Sequence, residues 1–140
     1  MRVGECCNRN VVAAPGETTV EQAARLMRLH HAGAIVVVRG DNGSRHPVGI
    51  VTDRDLVVEA LAGEVPVSQL TLGDIMNADL LTAGTDDGLW ETLERMSARG
   101  VRRMPVVGRD NVLEGMLCVD DVAQLLVEAQ ARMEIGRAHV

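Results

Sequence analysis

The apolar residues of this chain alternate between helical and strand spacing, and the same alternation occurs twice. In the first half, a helix is predicted over residues 19–31, and its apolar face carries Val20, Ala23, Ala24, Met27 and His31. Strands are predicted over residues 35–38 and 48–52, because both are short apolar runs. The second strand runs directly into a helix predicted over residues 53–61, whose apolar positions are Leu56, Val57, Ala60 and Leu61.

The second half of the chain repeats this order of elements. A helix is predicted over residues 88–100, with Leu89, Leu93 and Met96 on one face, and a strand over residues 104–107. A closing helix is expected to run through Met133, and residues 136–140 are expected to fray. The apolar positions of this closing helix are Val122, Leu125, Leu126 and Ala129.

The repetition extends to individual residues. Residues 3–17 (VGECCNRNVVAAPGE) align with residues 72–86 (LGDIMNADLLTAGTD) at an offset of 69, and after the longer first hairpin the offset becomes 66. A unit of about 60 residues would bury only a marginal core, so the two units are expected to pack together. The sequence therefore predicts an α/β (α+β) fold of two pseudo-symmetric β-α-β-β-α units packed sheet to sheet. The units span residues 3–61 and 72–130, and residues 62–71 link them.

Composition and charge argue against several classes of function. The net charge of −6 and the single aromatic residue argue against a nucleic-acid partner, and all 14 basic residues are Arg. No apolar run approaches the roughly 20 residues of a membrane span, and the N-terminus lacks the apolar core of a signal peptide. The three cysteines do not form a disulfide pattern, so we expect a cytoplasmic protein without a membrane partner.

The junction between strand and helix at residues 49–55 (GIVTDRD) carries the main candidate chemistry. Thr52 offers a hydroxyl and Asp55 a carboxylate on the same side of the first helical turn, a combination that suits a vicinal diol such as a ribose. Gly49 lets a ligand or another segment approach closely. The alternative is that Thr52 and Asp55 only cap the helix, which is the ordinary use of these residues.

The first unit closes in the pattern Gly, two apolar residues, Ser or Thr, any two residues, Asp, which residues 49–55 fit in full, and the second unit closes in the same pattern except that Cys118 stands at the Ser or Thr position. Residues 101–107 (VRRMPVV) form a strand with a basic lead-in, and residues 73–76 (GDIM) open the second unit. On these features the chain resembles a tandem pair of CBS domains, named after cystathionine beta-synthase. The resemblance covers residues 3–130 and is strongest to short, stand-alone bacterial CBS-pair proteins of the signal-transduction or hypoxic-response type.

The resemblance implies a regulatory module, without catalytic activity or an obligatory cofactor, that senses an adenosine nucleotide such as AMP, ADP, ATP or NAD. It implies two sites in the cleft between the repeats. Site one is expected to combine Thr52 and Asp55, with Arg54 nearby, with the phosphate-binding residues Arg102 and Arg103. Strand ends expected to line the two sites are Gly49, Ile50, Ala34, Met104, Pro105 and Met116. The adenine slots are expected to be lined by Thr82 and Ala83 and by their counterparts Ala13 and Ala14.

Site two is expected to differ. It keeps Asp121, but Cys118 stands where the family has Ser or Thr, and a thiol is a weak hydrogen-bonding group. Gly33 and Ala34 also occupy the positions that correspond to Arg102 and Arg103. Site one is therefore predicted to be the tighter of the two.

Other residues have ordinary explanations. His30, His31 and His46 lack the spacing of zinc ligands, so no metal site is predicted. Cys6 and Cys7 align with Ile75 and Met76 and are predicted to be small core residues, although a disulfide to Cys118 stays open. Trp90 lies off its helix's apolar stripe, is expected to be half exposed, and favours an interface.

The sequence contains no activated nucleophile beside a base and no P-loop, which disfavours an enzyme. The predicted function is a nucleotide-binding regulatory homodimer whose downstream protein partner the sequence does not identify. The alternative is a structural or redox-responsive dimer with degenerate nucleotide sites, in which the cysteines carry any response.

Overall fold

The computed structural model describes residues 1–41 and 43–138, and each half of the chain contributes three helices and three strands. The elements of the first repeat are α1 (Val3–Cys6), β1 (Ala13–Pro15), α2 (Val20–His30), β2 (Ala34–Arg39), β3 (His46–Thr52) and α3 (Asp53–Ala62). Those of the second are α4 (Leu72–Ile75), β4 (Ala83–Gly84), α5 (Leu89–Arg99), β5 (Arg103–Val107), β6 (Leu113–Cys118) and α6 (Val119–Ala138). A short 3₁₀ helix (Arg109–Asn111) lies between β5 and β6. The mixed α+β class and its internal repetition are as predicted.

Each repeat forms its own three-stranded sheet, in the orders β1-β2-β3 and β4-β5-β6. The first pair of strands in each sheet is parallel and the second is antiparallel, with Ile35 opposite Val51 and Met104 opposite Leu117. Strand β2 is buried on both faces. Val37 packs into the core beneath the helices, while Val36 and Val38 pack against Leu113 of the other sheet. The sheet-to-sheet packing explains why this strand is apolar throughout.

The two long central helices start and stop where the sequence indicates. Thr19 caps α2, because its Oγ1 accepts a hydrogen bond from the Gln22 N–H at 3.1 Å. At the far ends, His31 (φ 51°) and Gly100 (φ 67°) adopt the left-handed conformation that terminates helices. Ala24 and His31 are exposed, however, so the buried stripe of α2 is narrower than predicted.

The apolar positions of the closing helices are less buried than their pattern predicts. In α3 only Leu56 is buried, while Val57 is 56% and Leu61 84% exposed. In α6 Val122 is buried, whereas Leu125, Leu126 and Val127 remain 41–61% exposed. One sheet covers only one side of each helix, which leaves a second apolar side open to solvent. Helix α6 also continues to Ala138, beyond the end expected at Met133.

The short opening helices are exchanged between the repeats. Helix α1 of the first repeat lies on the second sheet: the Val3 N–H donates to the Asp87 carbonyl and the Gly4 N–H to the Thr85 carbonyl, both at 2.9 Å. Val3 is completely buried in the second core. Helix α4 mirrors this arrangement, because Leu72 is completely buried in the first core. Each core is therefore completed by a residue of the other repeat, which ties the two repeats together.

Candidate functional site

The residues of the GIVTDRD motif first of all cap helix α3. The Thr52 N–H donates to Asp55 Oδ2 at 2.8 Å, and the Asp55 N–H donates to Thr52 Oγ1 at 3.2 Å. This reciprocal pair is a capping box. It leaves the hydroxyl proton of Thr52 free to donate, and a carboxylate that accepts one bond retains further acceptor positions. The cap therefore fixes the positions of both side chains and leaves them able to form further hydrogen bonds.

A cavity of about 260 Å³ opens at this cap, and we call it site one. Its walls come from both repeats: β3 and the start of α3 on one side, and the loop after α4 and the lead-in to β5 on the other. The lining residues are Ile50, Thr52, Asp55, Asn77, Val101, Arg102 and Arg103. Thr52 and Asp55 thus line the same cavity as Arg102 and Arg103.

A second cavity, site two, has nearly the same size, about 270 Å³. The residues lining it are Asn8, Asn10, Val11, Val12, His31, Ala32, Gly33, Ala34, Arg103, Met116, Cys118 and Asp121. All seven residues of site one have their counterpart here at the sequence offsets of 69 or 66. Asn77 corresponds to Asn8, for example, and Asp55 to Asp121. The internal repeat therefore produces two pseudo-equivalent cavities, each built from the closing motif of one repeat and the strand lead-in of the other.

The basic residues distribute unequally between the two cavities. Arg102 lines site one and forms an ion pair with Asp120 at the start of α6. Arg103 lines both cavities. A Cβ placed on Gly33 would lie 3.0 Å from an Arg103 nitrogen and 3.5 Å from Asp53 Oδ2, so the guanidinium lies close to the α3 N-terminus. Site one therefore has two arginines in its wall, and site two shares one of them.

Two asparagines at equivalent positions of the repeats, neither of them predicted as a site residue, complete the cavities. The main chains of Asn77 and Ile50 exchange hydrogen bonds of 3.2 and 3.4 Å, and those of Asn8 and Met116 exchange two of 2.9 Å. Each asparagine thus attaches the loop of one repeat to the closing strand of the other. Their recurrence at the same position in both repeats was the signal that could have identified them.

Several residues predicted for the sites lie elsewhere. Arg54 is exposed on α3 outside the lining of site one. The buried residues Ala14, Ala83, Met104 and Pro105 support the sheets rather than the cavity walls. Thr82 accepts a hydrogen bond at its carbonyl from Arg95. Ala13 lines a larger cavity of about 570 Å³ beside site two, which we call the side cavity.

Gly49 is also outside the cavities, because another segment occupies the space above it. A Cβ at Gly49 would lie only 2.5 Å from Met76 Sδ, and one at its counterpart Gly115 would lie 2.9 Å from Cys7 Sγ. The glycines of the repeated motif therefore admit the loop that follows the opening helix of the other repeat. The segment that approaches each glycine closely is therefore part of the protein, and neither glycine lines site one or site two.

The three cysteines are free thiols. Cys6 and Cys7 pack against the second core, as predicted from their alignment, and Cys118 lines site two. Burial raises the pKa of the Cys6 thiol, and the neighbouring Cys7 and Glu5 raise it further. Cys6 is therefore predominantly a neutral thiol at neutral pH.

Within residues 1–41 and 43–138, no group of three or more His, Cys, Asp or Glu side chains is placed to hold a metal ion. Over the same part of the chain, none of the helices combines the length and the apolar character that crossing a membrane requires.

Known proteins resemble this chain in sequence. It is 31% identical over 121 residues to hypoxic response protein 1 of Mycobacterium tuberculosis, which covers 86% of this chain and 82% of that protein. It is 34% identical over 124 residues to the uncharacterized protein MK0525 of Methanopyrus kandleri, covering 88% of this chain and 61% of that protein. Relatives thus come from different domains of life, and the chain spans less than two thirds of one of them.

Solved structures resemble it in fold. The CBS domain pair of protein MJ0100, in complex with 5′-methylthioadenosine and S-adenosyl-L-methionine, has a TM-score of 0.77 at 22% identity and covers 92% of this chain and 98% of its own. The cytosolic domain of the Mg²⁺ channel MgtE, in complex with ATP, has a TM-score of 0.74 at 26% identity and covers 89% of this chain and 48% of its own. The family model described as CBS domain matches residues 3–61 and 72–128. The chain therefore belongs to the CBS domain family and carries two copies of the domain in tandem.

Proposed function

We propose that this chain is a non-catalytic regulatory module that binds an adenosine nucleotide between its two CBS domains. The observation that carries this proposal is the pairing of the two cavities. Each joins a carboxylate from the closing motif of one repeat, Asp55 or Asp121, to the strand lead-in of the other repeat. A ligand in either cavity touches both repeats, so it favours the relative arrangement of the repeats that suits it best.

Site one offers each chemical part of a nucleotide a partner. The Asp55 carboxylate and the Thr52 hydroxyl bind the ribose diol, since one accepts and the other donates. Arg102 and Arg103 bind the phosphate, because guanidinium groups match phosphate oxygens in geometry and charge. Ile50 and Val101 provide apolar contact for the base. That ATP is bound to the similar cytosolic domain of MgtE supports an adenosine ligand here.

Site two has a weaker set of ribose partners. Cys118 replaces the threonine, and its thiol forms only weak hydrogen bonds, while Asp121 keeps the carboxylate. We therefore propose that AMP prefers site one.

We further propose that the protein is a homodimer in the cytoplasm. The exposed apolar side chains of α3 (Val57, Val58, Leu61) and of α6 (Leu125, Leu126, Val127) occupy the closing helices of both repeats. Because α3 and α6 are pseudo-equivalent, these surfaces suit a second copy of the chain related by a twofold axis. Trp90, 56% exposed on α5, adds a further apolar group. The three free thiols suit a reducing compartment.

Isothermal titration calorimetry with AMP tests the nucleotide proposal. The wild-type protein should show one dominant site per chain, which Asp55→Ala removes and Asp121→Ala spares. Cys118→Thr should strengthen the second, weaker event, because it restores a hydroxyl where a thiol stands. Binding by neither adenosine nor AMP would refute the proposed function, and loss of the tight event in Asp121→Ala alone would reverse the assignment of the sites.

A further inference from the structure

Site two is continuous with a second, larger cavity. The side cavity of about 570 Å³ lies directly beside it, and the two cavities have half of site two's lining in common. The shared residues are Asn8, Asn10, Val11, Val12, His31 and Ala32. The side cavity is completed by Ala13, Leu26, His30 and Arg45. A ligand bound at site two therefore has room to extend without any rearrangement of the protein.

In the corresponding region beside site one, two arginines of α5 make hydrogen bonds across to the segment before β4. Arg95 is the counterpart of Leu26, and it donates to the carbonyl of Thr82 at 2.9 Å. Arg99 is the counterpart of His30, and it donates to Asp79 at 2.7 Å. Thr82 and Asp79 are themselves the counterparts of the cavity-lining residues Ala13 and Asn10. The region between the long central helix and the segment before the first strand is therefore bridged by arginines in the second repeat, and in the first repeat it forms the side cavity.

Positive charge is also arranged differently around the two sites. In site one it lies in the strand lead-in, at Arg102 and Arg103. In site two the equivalent positions are Gly33 and Ala34, and its wall includes Arg103, which it shares with site one, while the adjoining side cavity adds Arg45. The Arg45 carbonyl accepts a hydrogen bond from the Leu113 N–H at 2.8 Å, which fixes the backbone of Arg45 against the second repeat. His30 and His31 add ring nitrogens to the same cavity.

We propose that site two accepts adenosine compounds that carry a phosphate chain longer than one phosphate, with the chain extending from the ribose at Asp121 past His31 towards Arg45. This inference rests on the proposed function, because it requires an adenosine at site two. In this arrangement a single phosphate would lie at the wall that the two cavities share, and a longer chain would enter the side cavity that Arg45 lines. Beside site one the corresponding region is bridged by Arg95 and Arg99, so site one takes the monophosphate.

The test uses full-length protein with Asp55→Ala, which disables site one, and calorimetry in the presence of EDTA. ATP should bind this protein about tenfold more tightly than AMP, as expected for an added charge-assisted contact. Arg45→Gln should remove most of that advantage and leave the affinity for AMP within about twofold. NAD, in which a diphosphate joins two nucleosides, is the second probe. Tight binding of NAD would show that the site accepts a dinucleotide. Tight binding of ATP but not of NAD would assign the side cavity to terminal phosphates. Either result supports an extended chain.

Two further variants complete the design. The double variant Leu26→Arg and His30→Arg introduces the residues of the second repeat, Arg95 and Arg99, and should abolish the preference for ATP. Circular dichroism verifies that this variant is folded. Arg28→Gln makes the same charge change as Arg45→Gln at an exposed position of α2 and should have no effect.

Three results would overturn the inference. These are an affinity for ATP no greater than for AMP, equal losses from Arg28→Gln and Arg45→Gln, and absence of ATP binding in Asp55→Ala protein while the wild type binds AMP. In all three cases AMP binding by the wild-type protein leaves the proposed function standing. If the wild type binds neither adenosine nor AMP, both conclusions fail together.

Discussion

Thr52 and Asp55 hold each other through two reciprocal hydrogen bonds, Thr52 N–H to Asp55 Oδ2 at 2.8 Å and Asp55 N–H to Thr52 Oγ1 at 3.2 Å. The pair is half-buried and lines site one. The two explanations of this motif, a helix cap and a ribose-binding pair, are therefore compatible in geometry. The cap fixes the side chains that a ribose would contact, which removes part of the entropic cost of ordering them on binding.

Asp55→Asn separates the two roles. The amide still caps the helix, so the melting temperature should change little, but it has lost the charge that strengthens hydrogen bonds from a diol. The preference for AMP over 2′-deoxy-AMP should fall by about ten- to a hundredfold, which corresponds to roughly 1.5–3 kcal/mol. Calorimetry with both ligands measures this. An unchanged preference in a protein that still binds AMP at site one would mean that Asp55 is only a cap.

Arg103→Gln should weaken AMP binding at site one more than Arg102→Gln does. Arg102 already pairs with Asp120, whereas Arg103 lies between the two cavities. Both variants should leave adenosine binding nearly unchanged and flatten the salt dependence of AMP binding, since only the phosphate contact is electrostatic. The measurement is a titration with AMP and adenosine at two salt concentrations. Equal losses for both ligands would show that the arginines support the fold instead.

Gly49→Ala should destabilise the protein by about 1–3 kcal/mol, as overpacking commonly does. The added methyl group would lie 2.5 Å from Met76 Sδ and 3.0 Å from Met76 Cβ, so rotation of the methionine end alone does not relieve the contact. Combining the change with Met76→Ala should recover part of the loss, because it removes the clashing atoms. Urea denaturation of both variants and of Met76→Ala provides the comparison. Strictly additive losses would show that Gly49 and Met76 do not meet.

Leu61→Glu should dissociate the proposed homodimer. Leu61 is 84% exposed and lies on the same apolar side of α3 as Val57, so a charge there does not affect the core but opposes burial against a second copy. Leu29→Glu is the matched control, since Leu29 is 71% exposed on α2. Light scattering at micromolar concentration should show a dimer for the wild type and the control and a monomer for Leu61→Glu. A monomeric wild type would exclude the dimer.

Alkylation of Cys6 tests the redox alternative. Because burial raises its pKa, little of the thiol is ionised at neutral pH, and only the thiolate reacts rapidly. Iodoacetamide should modify Cys6 slowly at pH 7, and the rate should still be rising at a pH where an unperturbed thiol has reached its plateau. Mass spectrometry of the Cys6 peptide across a pH series follows this. Rapid modification at pH 7 would favour a redox-responsive thiol.

The sequence by itself determined the repeated architecture. Helix ends at Thr19, His31 and Gly100 depend on local interactions. A hydroxyl caps the N-terminus of α2, and residues with a left-handed backbone conformation end α2 and α5. The apolar strand β2 and the recurring motif at residues 49–55 depend on residues that are neighbours along the chain. Periodicity and internal repetition record such short-range information, so the α+β class could be predicted.

Contacts between segments distant in the chain were decided only by the tertiary structure. The exchange of α1 and α4, the covering of Gly49 by Met76 and the exposed second side of α3 depend on how the repeats pack, and no local pattern specifies them. The same holds for the sites: the alignment supplied Thr52, Asp55 and the arginines, but the joining of site two to the side cavity required the relative position of α2 and the first hairpin. Residue identity fixes which groups are available, whereas three-dimensional packing fixes which of them share a cavity.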